Sequence, residues 1–198
     1  MNKPKVWLRG LSLMVLSASL QLPSRTQETQ ASNLQTPMAG LNLMPVPANV
    51  QLGSGSLKID ASFNVTLTGH SDVRLEGALQ RFLDRLGKQT GLLLPPLHAP
   101  NLGKLRMVVR VDHDSKPVQE LGEDEFYVLE VTPSGAGITA PTDLGALHGL
   151  QTFLQLVTVS PDGFVAPAVI IKDTPRFPWR GLMIDTARHF IPLEVLRR

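Results

Sequence analysis

Asp173-Thr-Pro-Arg-Phe-Pro-Trp-Arg-Gly-Leu-Met-Ile-Asp-Thr-Ala-Arg-His-Phe-Ile-Pro192 is the stretch on which the reading of this chain turns. Pro175 and Pro178 forbid a helix and force an extended lead-in. Arg180 to Asp185 follows as a short apolar run that predicts a buried strand. The polar residues Asp185, Arg188 and His189 cluster just beyond it. Pro192 can open a helix at its first turn, with Leu193, Val195 and Leu196 behind it. A strand followed at once by the start of a helix is the first unit of a repeating β/α architecture.

From Pro175 to Phe190 the residues meet, without a gap, the pattern Pro-Arg-Phe-x-Trp/His-Arg-Gly-Leu-Met/Leu-apolar-Asp-x-x-Arg-His-Phe/Tyr. That pattern resembles the opening of the catalytic barrel in family-20 glycoside hydrolases, the β-N-acetylhexosaminidases. The residues upstream are similar to the smaller domain that precedes the barrel in that family, so the likeness runs from about Leu43 to the C-terminus. It implies a (β/α)8 barrel beginning in residues 173–198 and, in residues 43–172, a small α+β domain that packs beside the barrel and contributes no catalytic residue.

The composition is that of an ordinary globular protein. The chain has 198 residues, of which 42% are hydrophobic and 18% charged, enough for one domain and a fraction of another. A net charge of +2 with dispersed basic residues, and only 5% aromatic residues, argue against nucleic acid as a partner. With no cysteine, disulfides, thiol catalysis and cysteine-bound zinc are excluded. The histidines His70, His98, His113, His148 and His189 include no pair at a spacing of three or four, and no metal or cofactor is expected.

At the N-terminus, Lys3, Lys5 and Arg9 precede the apolar run Leu11 to Leu20, which predicts an export signal over residues 1–20. The run is shorter than the roughly 20 residues needed to span a bilayer, so an exported, periplasmic or extracellular product without a membrane span is expected. Residues 21–42, rich in Gln, Ser, Thr and Asn, read as a disordered linker.

The folded part predicts α+β structure. Gly53 to Ser56 reads as a turn, with half-buried strands around Leu57–Ala61 and Val65–Leu67. Ser71 and Asp72 can cap a helix to about Thr90, its apolar face built from Leu75, Leu79, Phe82, Leu83 and Leu86, with Gly91 as its stop. Strands follow at Leu105–Val111, Phe126–Val131 and Ile138–Ala140, the last two forming a hairpin across Pro133–Gly137. Thr142 and Asp143 cap a second helix to about Val157, with Leu147, Leu150, Leu154 and Val157 inward, and Val165–Ile171 is a final strand. This order suggests a mainly antiparallel sheet with two helices on one face.

Arg180 is the residue to which the resemblance assigns substrate contact, hydrogen-bonding hydroxyls of the sugar at the cleavage point. A guanidinium suits that task because its fixed fork of donors can grip two adjacent oxygens. Asp185, Arg188 and His189 are expected to form a polar network holding the first barrel loop. The family's catalytic carboxylates are an adjacent pair in a His-x-Gly-Gly-Asp-Glu segment, where Glu protonates the leaving oxygen and Asp orients the substrate's own acetamido nucleophile. No such segment occurs here. Asp124-Glu125 lacks that setting, and Glu123-Asp124-Glu125 reads as a solvated turn.

The implied activity is hydrolysis of terminal β-linked N-acetylhexosamine from glycans, with the 198 residues by themselves inactive. The alternative is a secreted, non-catalytic module or remnant that acts by interaction only. Residues 179–198, lacking strand partners, are expected to be mobile, to dock weakly on the small domain or to promote association.

Overall fold

A computed structural model of the chain describes residues 41–99, 106–186 and 190–196. The expected signal and nearly all of the expected linker lie outside the described residues. Leu41, assigned by sequence to the linker, packs against the core, so the folded unit includes residues ahead of Leu43.

The chain forms β1 (Asn49–Ile59), β2 (Val65–Gly69), α1 (Val73–Thr90), β3 (Met107–His113), β4 (Tyr127–Thr132), β5 (Gly135–Thr142), α2 (Asp143–Leu156), β6 (Thr158–Ser160), β7 (Gly163–Asp173) and a single helical turn, α3 (Leu193–Leu196). Both long helices begin where the sequence places their caps. The Asp72 carboxylate accepts from the Leu75 amide at 2.7 Å, and the Thr142 hydroxyl accepts from the Gly145 amide at 3.4 Å. Each satisfies one of the amides that the first turn of a helix leaves without a partner. Gly91 ends α1 in the left-handed conformation, at φ 72°. Pro192 opens α3, its carbonyl accepting from Val195 and Leu196.

The strands form one sheet in the order β1-β7-β4-β5-β3-β2, with β6 beside β7. Its mainly antiparallel character is corrected: β2–β3 and β3–β5 are parallel and the sheet is mixed. The reason is α1. A helical crossover between consecutive neighbours returns the chain in the same direction, and β2-α1-β3 is such a unit. The β4–β5 hairpin is tighter than expected, since Thr132 pairs with Gly135 and only Pro133 and Ser134 make the turn.

Gly53 to Ser56 is not a turn between strands. It lies inside β1 as an irregularity where the register against β7 slips between Leu52 and Ser56. Pro167, which has no amide to donate, sits opposite this irregularity and beyond the last β4 partner, Val169. The segment Arg180–Asp185 is likewise not a strand: it joins no ladder, and Leu182 and Met183 are 84% and 94% exposed. A strand exists only through its neighbours, and no described segment pairs with this one.

Alternation along the strands sends Leu57 and Ile59, Met107 to Val111, and Tyr127 to Val131 at every second residue into one core with α1 and α2. Phe153 of α2 sits at its centre, with ring centroids 5.8 Å from both Phe63 and Phe82. The inward face of α2 is broader than the sequence suggests. Ala146, Gly149 and Phe153 are buried with Leu150 and Leu154, whereas Leu147 is only half-buried.

Two glycines set how closely α2 lies on the sheet. A Cβ on Gly145 would stand 2.1 Å from the Phe126 carbonyl oxygen, and one on Gly149 would meet Ile138 and Tyr127 at 3.0 and 3.1 Å. Gly145→Ala should therefore destabilise the fold by about 2 kcal/mol or more in urea unfolding, the cost of overpacking against backbone that cannot yield. Gly77→Ala is the control: its Cβ would meet only the flexible end of Arg81, and the better helix propensity of Ala should stabilise α1 by up to about 1 kcal/mol.

Candidate functional site

The site is built where β7 hands the chain to the Pro175–Phe190 motif. Asp173, the last residue of β7, has its side chain fixed from two directions. One carboxylate oxygen accepts from the Ala48 amide at 2.9 Å, and the other accepts from the Tyr127 hydroxyl at 3.3 Å. The Tyr127 hydroxyl also pairs with Thr152 Oγ1 on α2 at 2.7 Å, and Thr152 bonds back to the His148 carbonyl. The direction in which the chain leaves the sheet is thus fixed by β4, by α2 and by the segment ahead of β1. That segment is itself held to α2, since the Gln155 amide group both donates to and accepts from the Met44 backbone. Arg176 adds a contact to the Val46 carbonyl at 3.4 Å.

Four residues further on, Arg180 turns back onto the folded domain. Its Nη1 donates to the Phe177 carbonyl at 2.6 Å, and its Nη2 donates to Glu125 Oε2 at 2.5 Å. The same oxygen meets His148 Nε2 at 2.6 Å. The Glu125 side chain is 11% exposed, against 40% for Arg180 and 41% for His148. Burial pushes the Glu125 carboxyl up, but the hydrogen bonds from Arg180 and His148 outweigh it and hold its pKa below the ordinary carboxylate value. An ionised carboxylate only accepts, so His148 Nε2 must carry the proton that it shares with Glu125.

Of the residues singled out by sequence, Arg180 lies in this cluster. Asp185 is exposed, and Arg188 and His189 lie outside the described residues. The reading of Glu123-Asp124-Glu125 as one solvated turn is corrected in part. Asp124 is exposed and caps the Phe126 amide at 2.9 Å, as a turn residue does. Glu125 instead faces α2. Strand alternation could have revealed this, because Glu125, Tyr127, Leu129 and Val131 share a face. His148, one of the five histidines with no second histidine at helical spacing, is paired with Glu125. Its signal was its place one turn before Thr152, on the edge of the helix that borders the head of β4.

Among the described residues no group of three or more His, Asp or Glu is placed to hold a metal ion. No described helix is long and apolar enough to cross a membrane.

Residues 40–174 match the family described as "Glycosyl hydrolase family 20, domain 2". Over 98% of its length the chain is 40% identical to the mouse beta-hexosaminidase subunit beta, covering 36% of that protein. Among solved structures, the fold is similar to a Flavobacterium johnsoniae chitobiase with a TM-score of 0.71 at 39% identity, covering 79% of this chain and 24% of the other. A Streptomyces plicatus beta-hexosaminidase variant in complex with its product GlcNAc is similar with a TM-score of 0.59 at 29% identity, covering 76% of this chain and 29% of the other. The chain belongs to glycosyl hydrolase family 20. It spans about a third of the length of the curated relatives it matches.

Tyr127 gives the site a spectroscopic handle, because it is the chain's one tyrosine. Burial pushes its pKa up, the Thr152 hydrogen bond pulls it down, and the Asp173 charge pushes it up again, from 10.0 to about 12. The raised value means that the fold favours the neutral phenol. Its contribution to stability is complete below about pH 10, the unfolded value, and is lost as pH rises from there through about 12. Tyrosinate absorbance of the native protein should rise with a midpoint near 12, and near 10 in denaturant. A native midpoint near 10 would show that Tyr127 is neither buried nor beside Asp173.

Proposed function

We propose that this chain is the domain-2 and barrel-opening part of an exported β-N-acetylhexosaminidase, which hydrolyses terminal β-linked N-acetylhexosamine from glycans by substrate-assisted, retaining catalysis. One observation carries the reading. The domain-2 match ends at residue 174, and the barrel-opening motif starts at Pro175 with no residue between them. The GlcNAc product in the Streptomyces plicatus relative supports the substrate class. The export signal over residues 1–20 supports an extracytoplasmic site of action.

Arg180 is the substrate-contacting residue in this reading, its guanidinium gripping sugar hydroxyls. Two of its five N–H donors are engaged by Phe177 and Glu125, which leaves three for a ligand on a side chain that is still 40% exposed. The general acid and the acetamido-orienting carboxylate belong to a His-x-Gly-Gly-Asp-Glu segment, and residues 1–198 contain none. Asp124 and Glu125 do not replace that pair, because one caps a turn and the other is engaged by Arg180 and His148. The 198 residues alone are accordingly expected not to cleave glycosides.

Reading the coding frame past codon 198 and assaying both products on a chromogenic N-acetyl-β-glucosaminide tests this. The expected result is an open frame encoding His-x-Gly-Gly-Asp-Glu, a long product that releases N-acetylglucosamine and a 198-residue chain that does not. In the long product, Arg180→Lys should lower kcat/KM by about tenfold or more, since a single ammonium cannot reproduce the fork. A frame that closes after codon 198 with no such segment would overturn the enzyme reading and favour a secreted module that acts by interaction.

A further inference from the structure

Glu125 stands just ahead of β4, in the small domain, while Arg180 belongs to the motif that opens the catalytic barrel. They are 55 residues apart in sequence and share a 2.5 Å hydrogen bond. We propose that Glu125, braced by His148, is a positioning residue for Arg180, so that the small domain aims the guanidinium that meets the sugar. The inference rests on the reading of Arg180 as a substrate-contacting residue and assigns domain 2 a part in that contact.

The geometry supports aiming rather than incidental pairing. Glu125 is the more buried partner, and its backbone is fixed on both sides: the Thr142 hydroxyl donates to the Asp124 carbonyl, and Tyr127 is locked between Thr152 and Asp173. His148 sits one turn along α2 from Leu144, between the two glycines that bring α2 onto the head of β4. The carboxylate therefore stands at the pinned end of a loop, two residues ahead of β4, and its brace stands on α2. Arg180 is the movable partner, on a segment outside the sheet. A flexible donor held by a fixed acceptor loses side-chain freedom before any ligand arrives, which is what preorganisation requires. The Phe177 carbonyl, occupying Nη1, fixes the plane of the fork, so that two contacts define its orientation.

The test is a double-mutant cycle in the complete gene product on a chromogenic N-acetyl-β-glucosaminide, with arginine side-chain Nε–H NMR signals of the 198-residue chain recorded in parallel. Glu125→Ala should lower kcat/KM by about tenfold or more, the size expected when a charge-assisted hydrogen bond is lost. In an Arg180→Ala background the same change should cost less than about twofold, because Glu125 acts through Arg180. Glu125→Gln, which keeps an acceptor oxygen, should fall between. Equal losses in both backgrounds would mean a merely structural role and overturn the proposal. Should Glu125→Ala fail to fold, His148→Ala takes its place in the cycle, with the same non-additivity expected. In the 198-residue chain, the signal that disappears in Arg180→Ala should shift in Glu125→Gln, and an unshifted signal would also overturn it. If the wild-type product proves inactive, the enzyme reading fails, and the NMR arm still decides whether Glu125 holds Arg180.

Discussion

The close approach of α2 to the head of β4 is the constraint from which the rest of the site follows. Gly145 brings the first turn of the helix against the Phe126 backbone, and Gly149 brings the next turn against Ile138 and Tyr127. Interiors are packed too tightly to absorb a displaced helix without rearranging what lies around it. The helix delivers His148 to Glu125, Thr152 to Tyr127 and Gln155 to the Met44 backbone from one face. A helix standing further out would lose all three contacts together. The fold is therefore specified around the chain's exit as tightly as around its core.

A second anchor lies at the first residue of the same helix. Asp143, the first residue of α2, is only 1% exposed and is fully partnered, accepting from the Ser115 amide at 2.9 Å and from Arg74 of α1 at 3.2 Å. Arg74 also reaches Ser115 Oγ and the Pro117 carbonyl. Glu123 closes the loop by accepting from the Lys116 and Glu120 amides. A buried carboxylate is tolerable only with such partners, and removing one strands the other. Here the pairing joins both helices to the loop between β3 and β4, the loop that ends in Glu125. The long connection is thereby held to the fold at both of its ends.

These two anchors hold the parts of domain 2 that surround the chain's exit. The domain gathers the segment ahead of β1 and the end of β7 at one place, through Asp173, Gln155 and Arg176. It then presents a fixed carboxylate to the motif that follows. Phe177, Trp179, Leu182 and Met183 of that motif remain largely exposed, so its polar contacts, not apolar burial, hold it to the domain.

Much of this protein was written in local sequence. The caps at Asp72 and Thr142, the stop at Gly91, the face of α1, the α+β class and the family motif from Pro175 to Phe190 all depend on residues within a few positions of one another. Periodicity, capping chemistry and turn propensity act over that range, and so they can be read without a structure. Strand direction, the slip inside β1 and the failure of Arg180–Asp185 to form a strand depend on which segments become neighbours, which local pattern does not encode. The same holds for Glu125. Alternation placed it on the face of Tyr127, but its role required His148 from 23 residues away and Arg180 from 55. Only the tertiary fold brings three such polar groups together, because the energy that orders them comes from burial and pairing across the chain, not from any stretch of it.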